Sequence, residues 1–306
     1  MSSLTKLTIS PHIHSGHSTA GIMRDVIIAL LPATVAGIII FGLRALAVIA
    51  VCVVSCVGFE ALFNLITKKD QTVGDFSAVL TGLLLALNLP ANIPLWQCVI
   101  GSLFAIIVVK CLFGGIGHNL VNPAITARVF MLVAFGSMAV AAFPVDTVAG
   151  ATPLSAEKMP TLITLFLGNY GGAIGETCTL ALIIGGVYLL IRKVITWHIP
   201  VVFIATAFIF SFFFKGFDAV SALSLILSGG LFIGAIFMAT DYVTSPATPW
   251  GKVIFAAGAG LLTCLIRYYG SYPEGVSFAI LFMNILAPYI DKWTRRKVFG
   301  TQEAVK

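Results

Sequence analysis

The sequence predicts an all-α polytopic membrane protein of about ten transmembrane helices, in two inverted five-helix repeats with short or interrupted helices. Three observations carry this prediction. The composition is 59% hydrophobic and only 10% charged, with mean hydropathy +1.04, whereas soluble domains carry roughly a quarter charged residues. Apolar runs near the ~20 residues that cross a bilayer recur along the chain. The two halves also repeat an order of motifs at matched spacing.

The opening residues 1–25 hold Lys6, His12, His14, His17 and several Ser and Thr, with no short apolar core ahead of a small-residue cleavage site. They read as a cytoplasmic N-terminal segment and not as a signal peptide. The apolar runs place spans near 26–43, 45–66, 76–90, 95–113 and 122–143, forming the first repeat over 26–143. The interval 144–173 is the longest polar stretch and reads as an external loop. Spans near 174–191, 197–214, 221–240, 252–267 and 275–290 form the second repeat over 174–290, followed by a basic cytoplasmic tail at 291–306. The third and eighth runs are short, and Pro90, Pro94, Pro246 and Pro249 stand beside their ends.

Laid side by side, Thr81-Gly82-Leu83 ahead of Leu89-Pro90-Ala91-Asn92-Ile93-Pro94-Leu95-Trp96 matches Ser228-Gly229-Gly230 ahead of Val243-Thr244-Ser245-Pro246-Ala247-Thr248-Pro249-Trp250. Gly114 to Ala124 then faces Tyr269 to Ala279 at nearly the same offset from its tryptophan. An odd number of spans per half makes the halves enter the membrane in opposite senses. Such repeats place polar sites near the midplane, at the interface between halves.

Cytoplasmic loops carry the Lys/Arg excess. With a cytoplasmic N-terminus, that side holds Lys6, Arg24, Lys68, Lys69, Arg192, Lys193, Lys252, Lys292, Arg295, Arg296, Lys297 and Lys306, twelve in all. The other side holds four: Arg44, Lys158, Lys215 and Arg267. Lys110 and Arg128 lie at or inside spans. Both termini are therefore expected to be cytoplasmic and residues 146–173 external. The net charge of +6 is a topology signal and no nucleic-acid footprint.

Within 144–153, Asp146, Gly150, Ala151 and Thr152 offer a carboxylate, two small residues and a hydroxyl that Pro153 pushes toward extended backbone. Either that hydroxyl is open to modification, or Asp146 satisfies nearby backbone donors and Thr152 caps the next element. Inside the spans, Glu60 and Asn64 lie one turn apart and offer a cation site or a helix–helix hydrogen bond. Asp241, with Thr240, Thr244 and Ser245, supplies oxygen ligands that suit Na+ or a hydrogen-bonded cofactor better than a transition metal. Asn88, Asn119 and Asn122 add amides at matching depth.

The six cysteines, Cys52, Cys56, Cys98, Cys111, Cys178 and Cys264, contain no pair at the two-residue spacing of a metal or iron–sulfur motif and read as small apolar fillers. No resident metal site and no catalytic residue is predicted. Any redox chemistry or pumping must draw on a bound cofactor or on partner subunits.

Four stretches resemble a known family: Ser10-Pro11-His12 running into Met23 to Ala33, Gly114 to Ala124, Asp146 to Leu154, and Phe237 to Pro246. The chain is similar to the RnfD proteins of the Rnf ion-translocating ferredoxin:NAD+ oxidoreductases, relatives of the NqrB proteins of the sodium-pumping NADH:quinone oxidoreductases. The resemblance implies FMN attached to Thr152 through a phosphoester by a flavin transferase using FAD and Mg2+. Asp146, Gly150 and Ala151 complete the attachment motif, with Ala149 standing where Ser or Thr is commoner.

It also implies a urea-transporter-like repeat architecture, a second, noncovalent flavin, commonly riboflavin, and partnership with the other Rnf subunits, RnfA, RnfB, RnfC, RnfE and RnfG. The function expected is ferredoxin/NAD electron transfer coupled to Na+ or H+ translocation across a prokaryotic cytoplasmic (inner) membrane. From the residues themselves, Asp241, Thr240, Asn119, Asn122 and Glu60 are candidates for a flavin or ion site, and no residue places the second flavin. The competing reading is a small-solute transporter or channel whose pore is the repeat interface, with Thr152 unmodified.

Overall fold

A computed structural model describes residues 18–135, 161–168, 170–270 and 275–295, and all regular secondary structure among them is helical. Helix α1, Thr19–Phe41, begins at Thr19 rather than near residue 26, because the Ser18 Oγ accepts the Gly21 N–H at 3.1 Å and caps the polar first turns. Gly42, at φ 71°, ends α1 and starts α2, Leu43–Ile66. A residue with a Cβ adopts that backbone only with strain.

Helix α3, Ser77–Leu87, is shorter than the expected third span. Carbonyls at and just past its C-terminus are met by a turn: Ile174 N–H donates to Leu89 O at 3.0 Å and Gly175 N–H to Leu87 O at 2.7 Å. This use of residues 173–175 explains why the sixth helix, expected from residue 174, starts only at Thr179.

Helix α4, Leu95–Cys111, changes from α to π geometry at Phe104. Then follow α5 (Pro123–Ala134), α6 (Leu162–Leu167), α7 (Thr179–Ile191) and α8 (His198–Phe214). The expected eighth span is two helices, α9 (Ala219–Leu227) and α10 (Leu231–Met238), bent by 67°. Ser228 is extended and Gly229 sits at φ 73°. The Arg267 guanidinium donates to Leu225 O at 2.5 Å and to Ser228 O at 3.1 Å, which satisfies the carbonyls freed by the break. Helices α11 (Pro249–Tyr269) and α12 (Val276–Thr294) close the described chain.

Among the described residues three helices, α1, α2 and α11, are long and apolar enough to cross a bilayer, and the bent α9–α10 pair passes together. α3, α4, α5, α7 and α8 are shorter apolar helices. Large apolar side chains such as Ile39, Leu43, Val54 and Ile191 point outward, as a lipid-facing surface requires.

Association between helices in lipid relies on close backbone approach at small residues. Gly185 of α7 provides it: a Cβ there would lie 2.1 Å from the Ala29 carbonyl oxygen of α1. The most extensive packing joins α8 to α11, α2 to α3, α11 to α12, α1 to α7 and α2 to α4.

Candidate functional site

The elements converge on an open cavity of about 820 Å³, its mouth included. Its walls come from the start of α1, the first turns of α3, the Gly117–Ala124 approach to α5, the end of α7 and the Phe237–Val243 stretch after α10. Asn119, Asn122, Thr240 and Asp241 all line it, among apolar side chains that include Phe237 and Leu84. The Asn119 Oδ1 is buried without a hydrogen-bond partner among the described residues. Such a group is normally satisfied.

Asn122 is held from several sides. Its Oδ1 caps α5 by accepting the N–H groups of Ala124 and Ile125 at 3.0 and 3.3 Å, and its amide donates to Met238 O at 3.3 Å. That carbonyl lies at the end of the π-helical turns Gly234–Met238, where acceptors are left over. Asn284 of α12, oriented by its neighbours, donates to Thr244 O at 3.2 Å and accepts the Asn122 N–H at 3.3 Å. Three helices from both ends of the sequence thus meet at one amide cluster.

Asp241 follows directly. Its Oδ2 accepts the Thr244 hydroxyl at 3.1 Å, and its own carbonyl accepts the Ser245 hydroxyl at 2.6 Å. The Thr240 hydroxyl turns back to Ile236 O at 2.7 Å and is committed to its own helix.

Glu60 lies elsewhere. It is 2% exposed, and its two carboxylate oxygens each accept Lys110 Nζ at 2.8 Å. Thr72 adds a hydroxyl at 2.6 Å, and Asn64 Nδ2 donates to that hydroxyl at 3.0 Å. Asn64 therefore reaches Glu60 through Thr72. The carboxylate faces a second cavity, of about 620 Å³ with its mouth included, lined also by Thr72, Asp70 and Asp75.

A second buried pair joins Arg128 of α5 to Glu176, Nη2 to Oε1 at 2.6 Å, while Nη1 donates to Asn88 Oδ1 at 2.6 Å. The sequence pairs Glu60 with Asn64, places Lys110 and Arg128 at or inside spans without a partner, and gives Glu176 no role. The available signal was charge arithmetic: leaving aside residues at the very ends of the apolar runs, two basic residues (Lys110, Arg128) and two acidic ones (Glu60, Glu176) fall inside them, and ionisable groups at such depth pair with one another.

The structure gathers Asp241, Thr240, Asn119 and Asn122 around one cavity and sets Glu60 in another. Asp146, Gly150, Ala151 and Thr152 lie outside the described residues, as do His12, His14 and His17. Among the described residues no group of three His, Cys, Asp or Glu side chains is placed to hold a metal.

Apolar helices, a broken span, two buried charge pairs and a largely apolar cavity edged by Asn119, Asn122 and Asp241 define a polytopic membrane protein. Residues 6–300 match the NQR2, RnfD, RnfE family, and the chain belongs to that family. It is 48% identical to the D subunit of the Na+-translocating ferredoxin:NAD+ oxidoreductase complex of Acetobacterium woodii, over 97% of this chain and 96% of that protein. It is 42% identical to the D subunit of the proton-translocating ferredoxin:NAD+ oxidoreductase complex of Clostridium ljungdahlii, with 97% and 96% covered. The D subunit of the ion-translocating oxidoreductase complex of Actinobacillus succinogenes is 35% identical over 96% of this chain and 98% of its own. These relatives are components of ion-translocating oxidoreductase complexes.

Proposed function

We propose that this protein is the flavin-carrying membrane subunit of a Rnf-type redox-driven pump. It carries FMN on Thr152, takes part in ferredoxin/NAD electron transfer and couples that transfer to Na+ or H+ movement. Near-full-length similarity to the D subunits of two ferredoxin:NAD+ oxidoreductase complexes supports the assignment to such a complex. The observation that carries the site is the unpartnered Asn119 Oδ1 in the wall of an amide-lined, largely apolar cavity.

Those residues fit a noncovalent flavin. Asn119 offers an acceptor to a ring N–H, while Phe237 and Leu84 give the apolar surface that a flat heterocycle needs. Bound flavin supplies one- and two-electron chemistry, while the chain positions it and tunes its surroundings. Asn122 holds the rim by tying α5, α10 and α12 together, and Asp241 places a carboxyl beside the ligand.

The same reading includes ten spans in inverted halves. Its support is parallel packing: α2 contacts α3 and α4 as α8 contacts α9 and α11, and α4 meets α5 as α11 meets α12. The halves touch through α1–α7 and α5–α12. With cytoplasmic termini and an outer Thr152 loop in a prokaryotic inner membrane, a flavin on that loop is separated from cytoplasmic nicotinamide by roughly 30 Å of hydrocarbon. Electrons then cross through the partners RnfA, RnfB, RnfC, RnfE and RnfG, and a flavin transferase loads the FMN.

The test is denaturing-gel fluorescence and intact mass of the protein coexpressed with its flavin transferase. A fluorescent band with the mass of bound FMN, absent in Thr152→Val, is expected. A flavin-free parental chain that transports a solute in liposomes without redox partners overturns the reading.

A further inference from the structure

The two cavities share a wall built from one hydrogen-bonded chain. Lys110 and Ser77 line the large cavity, whereas Glu60, Thr72, Asn64 and Asp75 line the small one. Lys110 Nζ has three protons and three acceptors in this wall: both Glu60 oxygens at 2.8 Å and Ser77 Oγ at 2.6 Å. Ser77 Oγ donates onward to Asp75 Oδ1 at 2.6 Å. Lys110 and Glu60 are each 2% exposed. A cation therefore borders one cavity while the carboxylate that neutralises it borders the other.

We propose that Lys110 is an electrostatic coupling residue. Its ammonium rests on Glu60 while the large cavity holds a neutral ligand and turns toward a ligand that has become negatively charged, so that Glu60 takes a monovalent cation from the small cavity. This rests on the reading that the large cavity holds a noncovalent flavin.

The chemistry follows from charge balance in a poorly screened site. One electron delivered by an iron–sulfur or flavin donor leaves the ligand with one added negative charge, and the nearby ammonium is attracted to it more strongly than it would be in water. Lysine presents a compact charge on a flexible four-carbon stem, which suits a short change of partner. Once the ammonium turns, the Glu60 carboxylate is a buried uncompensated charge, which is strongly unfavourable. Neutralisation from the small cavity, by a proton on the carboxylate or by Na+ among Glu60, Thr72 and neighbouring oxygens, restores it. One electron enters on one side of the wall and one monovalent cation on the other. In a purely structural role, the pair would only tie α2 to α4, and its loss would change stability without changing ligand preference.

The experiment uses the whole complex in vesicles, with its noncovalent flavin or with added riboflavin. Reductive titration with dithionite gives the ratio of affinities for reduced and oxidised ligand. Lys110→Met alone leaves Glu60 unpaired, so the informative variant is the neutral pair Glu60→Gln/Lys110→Met, with Lys110→Arg as the charge-retaining control.

The pair is expected to lower the preference for the negatively charged ligand at least tenfold, equivalent to ~59 mV for a one-electron step. Lys110→Arg should keep most of it. Reduction of the parent should also produce either a protonated-carboxyl infrared band or a Na+-dependent potential, which distinguishes the two cations. Both signals should vanish in the neutral pair.

An unchanged affinity ratio in a flavin-loaded neutral pair, or the absence of both cation signals in the parent, overturns the coupling role alone. If riboflavin does not bind the parent at all, or if Asn119→Leu leaves its binding unaltered, the flavin reading of the cavity fails and the coupling role falls with it.

Discussion

Arg128 and Glu176 meet at 2.6 Å with side chains only 4% and 1% exposed, tying the middle of α5 to the turn that leads into α7. The pair presses against the broken span: a Cβ on Gly230 would lie 2.8 Å from Glu176 Oε1 and 3.1 Å from Arg128 Nη1. The absence of a side chain at Gly230 is what lets the charges sit beside the break between α9 and α10.

Removing one member should therefore be costly. Glu176→Leu leaves the guanidinium buried beside an apolar group, and breaking buried pairs in this way costs about 3–5 kcal/mol. Arg128→Met/Glu176→Leu removes both charges and should regain much of that loss. Thermal unfolding in detergent checks the order; a double variant less stable than Glu176→Leu contradicts it.

Packing between α1 and α7 gives a second expectation. Gly185→Ala drives a methyl to 2.1 Å from the Ala29 carbonyl oxygen, a backbone atom that cannot rotate aside. Overpacking of this kind destabilises by about 1–3 kcal/mol. Gly58→Ala in α2, where nothing lies within 4 Å of the added carbon, serves as the matched control and should be neutral or slightly stabilising. Equal unfolding temperatures for the two variants would show that α1 and α7 separate freely.

Asp241→Asn keeps most of the volume and the Thr244 contact while removing the charge. Ion-coupled electron transfer by the reconstituted complex is expected to fall several-fold, with folding and the FMN attachment proposed at Thr152 retained. Coupled activity at the parental level would assign Asp241 to the structure of its turn.

Topology is open to impermeant thiol reagents on intact cells. In a background with the six native cysteines replaced, Lys158→Cys should label from outside and Lys69→Cys only after permeabilisation. The reverse pattern would invert the assignment of the Thr152 loop to the outer face.

The broken span was partly legible. The sequence marks the eighth apolar run as short and carries Ser228-Gly229-Gly230 within it, a signal for a break because glycine tolerates the φ of 73° seen at Gly229. The size of the bend was not legible, because it depends on Arg267, supplied from α11, bonding the carbonyls that the break exposes. The start of the sixth helix was misplaced for a similar reason. Residues 173–175 are apolar or small enough to be helical, yet their backbone caps α3, an arrangement that hydropathy does not encode.

By itself the sequence determined the class: too few charges and too many apolar runs for a soluble core, with polar residues rare enough to be named individually. It determined the family as well, through motifs spread over most of the chain. Only the tertiary structure decided which of those polar residues face one another. Asp241, Asn119 and Asn122 came to share a cavity, while Glu60, read as an open ion ligand or a helix–helix hydrogen bond, proved to be matched by Lys110, 50 residues away in the chain. Buried charges must be neutralised wherever they lie. Composition states how many partners are required, but the pairing follows from helix rotation and the close approach of backbones at glycine.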